Sequence, residues 1–309
     1  MTKDRLIRFG TRGSALALSQ TAITSELLQR HDPGLRLETT IVRTQGDREW
    51  EKPLPEIGGK GVFTAELEAG LRDGGFDVAV HSLKDLPVAA SPGLMIGAYL
   101  PRADPRDALI SRSRQSLATL PEGAAVGTSS LRRRAQLLAV RPDFEIVSLR
   151  GNVDTRIGKG LDADGPYDAV ILAMAGLRRV KLEHHVTQIL DYEVMLPAPG
   201  QGVIAVQCRA ADTDLLGRLR RLNDADTRAS AFAERAFLEA LGAGCQTPVA
   251  ALAVIKGDDL GLCGLVAGSD GRPVIRLQEC GRRSEPARIG QALAQKALAA
   301  GAGELLGDS

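Results

Sequence analysis

The chain has 309 residues, 44% apolar and only 3% aromatic, with 34 glycines. That length exceeds what one hydrophobic core serves and points to two or three domains, with cores built from Ala, Val, Leu and Ile. The 39 basic and 38 acidic side chains leave a formal net charge of +1, which argues against a general nucleic-acid binder. No run near 20 apolar residues is present to span a membrane.

The opening MTKDRLIRFGTRGS has no apolar stretch after its charges and does not read as an export signal. Cys208, Cys245, Cys263 and Cys280 fit no common zinc spacing. No metal is expected, and reduced thiols in a cytoplasm are the expectation.

In chain order, residues 6–9 read as a strand, followed by GTRGS and a helix over 15–30. A strand at 37–43, a helix at 62–72 and a strand at 77–81 come next. The pattern then repeats: a strand at 124–126, GTSS, a helix over 131–140, a strand at 145–149, a short helix after Gly151-Asn152, and a strand at 168–173. This alternation predicts an α/β fold with largely parallel sheets. FGTRGSALALSQ echoes VGTSSLRRRAQL, and FDVAVHSLKDLP echoes YDAVILAMAGLR, which predicts two similar α/β lobes. LPRADP (100–105) and LPAPGQG (196–202) are the expected crossings between them, the second returning a strand at 203–207 to the first lobe. That arrangement resembles type II periplasmic binding proteins, with ligand in the cleft between lobes. A helix at 227–241, strands at 249–255, 261–266 and 274–278, and a helix near 289–299 predict a small α/β third domain. The expected boundaries are 1–100 with 201–220, then 105–196, then 222–309. Residues 45–61, polar and rich in Gly and Pro, read as an irregular loop that could cover the cleft.

Strand-to-helix turns with hydroxyls collect free N–H groups and bind anions. Thr128, Ser129 and Ser130 form one such turn. Arg132, Arg133 and Arg134 follow within the first helical turn, where cations oppose the helix dipole unless an anion compensates them. Arg12 with Ser14, Arg150, Arg156 and Arg178 also lie at or just past the carboxyl ends of strands, where open α/β sheets bind ligands. Their forks suit a ligand bearing several carboxylates. HSLKD places Asp85 among cations, fit to stabilise a cationic intermediate or relay protons. Cys245 lies in GAGCQTP, a loop after the long helix. By its local sequence it reads as a small buried hydrophobe. His184 and His185 point apart on a helix and read as surface residues.

The ordered series GTRGS (10–14), GGKG (58–61), HSLKD (81–85), DPRD (104–107), GTSSLRR (127–133), SLRGN (148–152), PGQG (199–202) and GCQTP (244–248) resembles the porphobilinogen deaminase family. The resemblance implies three domains and a dipyrromethane cofactor joined by thioether to Cys245. It implies condensation of four porphobilinogen molecules to hydroxymethylbilane, with release of ammonia, through an electrophilic azafulvene. Asp85 would be the central acid. Ser82, Lys84, Thr128, Ser129, Ser130, Arg132, Arg133 and Arg156 would hold the cofactor. Arg12, Ser14, Lys60, Arg150 and Arg178 would hold substrate carboxylates. The family expectation is a cytoplasmic monomer. Two positions depart from the family pattern: Glu56, where some bacterial relatives carry lysine, and Ala243, where a glycine is common. A non-catalytic anion-binding module of the two-lobe type would explain the arginines, but neither the third domain nor the loop cysteine. A nucleic-acid binder through Arg132–Arg134 is opposed by the near-neutral charge and sparse aromatics.

Overall fold

The computed structural model describes residues 5–48, 64–244 and 247–307. The chain forms two compact units, Met1–Arg102 with Val203–Arg228, and Ala103–Gly202 with Ala229–Ser309.

In the first unit the strands β1 (Leu6–Arg12), β2 (Arg36–Val42), β3 (Val78–Ser82), β4 (Leu94–Tyr99) and β10 (Ile204–Arg209) lie in the order β2-β1-β3-β10-β4. In the second unit β5 (Asp107–Ser111), β6 (Ala125–Gly127), β7 (Glu145–Val147), β8 (Ala169–Ala173) and β9 (Gln188–Ile189) lie in the order β7-β6-β8-β5-β9. The two orders match, with β10 and β5 in equivalent places. β1 is parallel to β2 and β3, and β6 is parallel to β7 and β8. β10 and β5 run antiparallel to their neighbours. The sheets are therefore mixed, not largely parallel. Parallel pairing needs a crossover helix after the preceding strand. β5 and β10 are fed instead by the Pro-rich segments around 101–105 and 197–202.

The correspondence extends to single contacts. Phe76 covers Gly10, where a Cβ would sit 2.3 Å from the ring. Tyr167 covers Gly127, where a Cβ would sit 2.8 Å from the ring. Each Gly-Thr turn therefore excludes a side chain at its glycine. The residue after each aromatic is an aspartate. Asp77 accepts from the Arg8 N–H at 3.0 Å and Asp168 from the Ala125 N–H at 2.9 Å, in each case two residues before the glycine. Each also pairs with an arginine from the antiparallel strand or just past it: Arg209 at 2.7 Å and Arg112 at 3.1 Å. Burial alone would raise the Asp77 carboxyl. The Arg8 N–H and the guanidiniums of Arg209 and Arg8 outweigh it and hold the group below the usual carboxylate range.

A third sheet, β11 (Val249–Lys256), β12 (Asp259–Ala267) and β13 (Val274–Arg282), is an antiparallel meander. It lies within the second compact unit. Ala250, Leu252, Leu265 and Ala267 share a core with Ala135 and Leu196. Glu234, fully buried in helix Ala225–Ala240, accepts from the Gly200 N–H at 2.6 Å and from the Ala253 N–H at 2.8 Å. Asn223 and Asp224, expected with the third domain, bond to the end of β4: Asn223 accepts from the Tyr99 N–H and Asp224 N–H donates to the Tyr99 carbonyl.

Candidate functional site

The first unit carries a pocket of about 60 Å³ lined by Arg12, Ser14, Gln20, Thr64, His81, Ser82 and Asp85, among others. That is room for a few waters or one carboxylate arm. β1 ends at Arg12, and Ser14 caps helix Ala15–His31, its hydroxyl accepting from the Ala17 N–H at 3.3 Å. β3 ends at Ser82, and a single turn over Leu83–Asp85 follows. Both strands run parallel, so their carboxyl ends meet at the pocket. Gln20 Nε2 donates to Ser82 Oγ at 2.9 Å and orients that hydroxyl. Arg12 pairs with Asp47, its Nε donating at 3.1 Å. Burial raises the Asp47 carboxyl, but Arg12 and Thr44 bonding outweighs it and holds it low. Asp85 is exposed, and among the described residues no group hydrogen-bonds or ion-pairs its carboxylate. Among the described contacts Asp85 makes no surface pair with the adjacent Lys84.

In the second unit, Ser130 caps helix Leu131–Val140, accepting from the Arg133 N–H at 3.4 Å, and Thr128 Oγ1 accepts from the Ser130 N–H at 3.2 Å. Ser129 Oγ lies 3.0 Å from Ser148 Oγ and accepts from the Leu149 N–H at 3.0 Å, which ties this turn to the SLRGN turn. Arg150 and Arg156 follow on that second turn, with Arg156 Nε donating to the Gly151 carbonyl at 2.7 Å. Burial lowers the Arg150 guanidinium, a cost that an anionic partner would offset. Arg178 is exposed and lies 3.4 Å from Asp104.

Arg132 and Arg133, expected to hold the cofactor, are buried against a carboxylate of their own unit. They are 4% and 6% exposed, and both grip Asp107, which is fully buried, at 2.8 and 2.7 Å. Gln201 Nε2 also donates to Asp107 Oδ1 at 2.9 Å. The anion that two cations in a first helical turn require is thus supplied from within the unit. Arg132 keeps one buried donor, Nε, without a hydrogen-bond partner among the described residues. Asp107→Asn leaves two buried guanidiniums sharing no charge, and we expect a loss of about 3–5 kcal/mol in chemical denaturation. A change under about 1 kcal/mol would show that the cluster does not hold the unit together.

The structure thus brings Arg12, Ser14, Ser82 and Asp85 to one pocket of the first unit, with Lys84 in the adjoining turn. It places Thr128, Ser129, Ser130, Arg150 and Arg156 at two joined turns of the second. Lys60, Glu56 and Cys245 lie outside the described residues. Sequence reading missed Asp107 and Gln20, although Asp107 stood in the quoted DPRD motif. Gln20 and Gln136 each fall six residues after a capping serine, a signal that was available. No group of three or more potential metal ligands occurs among the described residues, and no helix there is long and apolar enough to cross a membrane.

The donor set fits a group bearing several carboxylates: joined hydroxyl turns, a capped helix start, partly buried arginines and an Arg132 Nε without a partner among the described residues. Two family models match the chain, "porphobilinogen deaminase, dipyromethane cofactor binding domain" over residues 7–217 and "porphobilinogen deaminase, C-terminal domain" over residues 229–299. A porphobilinogen deaminase of Roseiflexus castenholzii is 47% identical over 97% of this chain and 98% of its own. One of Brevibacillus brevis is 45% identical over 97% and 96%. Among solved structures, the BenM effector binding domain with benzoate covers 72% of this chain and 92% of its own at 13% identity, with a TM-score of 0.42.

Proposed function

The chain belongs to the porphobilinogen deaminase family, and from that premise we propose a division of labour among its residues. The protein is a transferase of tetrapyrrole biosynthesis that condenses four porphobilinogen molecules to hydroxymethylbilane with loss of ammonia, on a dipyrromethane cofactor. When bound, the dipyrromethane supplies the nucleophilic pyrrole carbon from which the chain grows. In our reading Cys245 tethers it, and Thr128, Ser129, Ser130 and Arg156, with Ser82 and Lys84, hold its carboxylates. Arg132 contributes through its Nε, and Arg133 chiefly by fixing Asp107.

Arg12, Ser14, Arg150 and Arg178, with Lys60, grip the acetate and propionate of incoming porphobilinogen. Each charge-assisted bond contributes roughly 1.5–3 kcal/mol. Loss of the amine leaves positive charge on the substrate. The Asp85 carboxylate lowers the cost of that charge, and one of its oxygens carries the proton that leaves the ring after coupling. The observation that carries this assignment is the exposed Asp85 carboxylate, unpartnered among the described residues, in a pocket shared with Arg12 and Ser14. We place the enzyme in the cytoplasm, a reading supported by the free thiols of Cys208, Cys263 and Cys280, and take it as a monomer on the family expectation alone.

Purified protein given porphobilinogen is expected to release one ammonia per porphobilinogen consumed and to yield one tetrapyrrole per four. Absence of turnover with an intact cofactor would reject the reading.

A further inference from the structure

From His81 in the wall of the first unit's pocket a chain of hydrogen bonds leads away beyond the residues assigned above. Gln207 on β10 bonds at both ends of its amide. One end donates from Nε2 to Glu68 Oε1 at 3.0 Å. A carboxylate oxygen only accepts, so that end is the NH2. The other end, Oε1, lies 3.0 Å from His81 Nε2. An amide oxygen also only accepts, so His81 Nε2 carries a proton. Glu68 is itself anchored: its Oε1 accepts from Ser91 Oγ at 2.6 Å, and Arg72 lies 3.5 Å from its Oε2.

His81 is 5% exposed. Burial pushes its pKa down to about 4, outweighing Gln207, Glu68 and Asp85, which raise it, while Arg12 lowers it further. The ring is neutral at pH 7, and its single proton is on Nε2. Nδ1 is then a bare acceptor. It makes no hydrogen bond among the described residues, and His81 lines the pocket beside Ser82 and Asp85.

We propose that Glu68 and Gln207 are positioning residues that set His81 as its Nε2–H tautomer, so that Nδ1 accepts an N–H of the bound pyrrole beside the Asp85 carboxylate. The identity of that N–H donor rests on the deaminase reading; the tautomer does not. A pyrrole nitrogen offers only a donor, and the opposite tautomer would set N–H against N–H. A neutral acceptor orients the ring without adding a second negative charge to compete with Asp85 for the cations.

The test is nitrogen NMR of the histidine-labelled holoenzyme, followed by steady-state kinetics of variants. The wild type is expected to show protonated Nε2 and bare Nδ1 at His81, unchanged between pH 8 and pH 6. Gln207→Leu and Glu68→Leu are expected to mix or invert the tautomers and to raise KM for porphobilinogen about three- to ten-fold, the scale of one hydrogen bond. Glu68→Gln, which can still accept from Gln207, keeps the wild-type pattern. If the buried Gln207→Leu fails to fold, Glu68→Leu, at a half-buried helix position, gives the same two readouts. A wild-type proton on Nδ1, a doubly protonated ring at pH 7, or a tautomer change that leaves KM untouched would overturn the proposal. A wild type with no deaminase turnover would overturn the functional reading and leave the tautomer assignment standing.

Discussion

Asp85→Asn is expected to lower the initial rate of porphobilinogen consumption by about 100-fold or more while leaving the melting temperature nearly unchanged. The two expectations have separate physical grounds. Asp85 is exposed, and among the described residues its carboxylate bonds to no neighbour, so an isosteric amide removes no contact that holds the fold. Surface changes of that kind stay within about 0.5 kcal/mol. Catalysis loses two things at once. An amide carries no charge to stabilise the cation left when the amine departs, and it cannot take the proton lost after coupling. Proton transfer by a placed side chain alone contributes roughly 10²–10⁴-fold, and the lost electrostatic stabilisation adds to it. Intact mass is expected to retain the dipyrromethane, which separates a catalytic defect from a loading defect. A rate within about ten-fold of wild type would remove Asp85 from the centre of the mechanism, since it would fall below the smallest effect expected of a placed acid.

Much of this was legible along the chain because local chemistry and tertiary demand coincide. Helix Leu131–Val140 begins where Ser130 caps it, and its bounds follow from that cap and the apolar spacing. The echo of FDVAV in YDAVI reflects a real equivalence. The aromatic shields a glycine, and the aspartate bonds the strand two residues before it. β4 and β5 escaped notice because Leu94–Tyr99 and Asp107–Ser111 are short apolar runs without alternation. The mixed pairing escaped because strand direction depends on where a crossing delivers the chain, which composition does not encode. The fate of Arg132 and Arg133 was half legible. Two cations in a first helical turn need an anion, but the anion is Asp107, 25 and 26 positions earlier in sequence. Long-range pairing of that kind leaves no periodic trace. The same holds for Gln207, which meets His81 and Glu68 across more than 120 residues of sequence.

Cys245→Ser is expected to have the larger effect, removing both the cofactor and the activity. Its intact mass should equal the sequence mass, where the wild type exceeds its own by a dipyrromethane. Serine is a far weaker nucleophile than a thiolate at neutral pH, so a thioether site does not become an ether site by this substitution. Without a tether the growing chain must meet each new unit by diffusion. Holding it in place makes each coupling effectively unimolecular, an advantage of 10⁵ M or more in well-oriented cases, so a fall of at least about 10³-fold is expected. The described ends of the loop suit an anchor. Gly242 takes a φ of 65° just past helix Ala225–Ala240. On the far side, just before β11, the Thr247 hydroxyl donates to the Gly244 carbonyl at 2.7 Å. That helix also carries Glu234, which accepts from the Gly200 and Ala253 N–H groups and so fixes the helix within its unit. A variant that keeps the mass excess would place the tether on another residue, and one that lacks it yet turns over normally would make the primer dispensable. Set beside Asp85→Asn, the pair separates the two roles: loss of turnover with the cofactor in place belongs to the acid, and loss of both belongs to the tether.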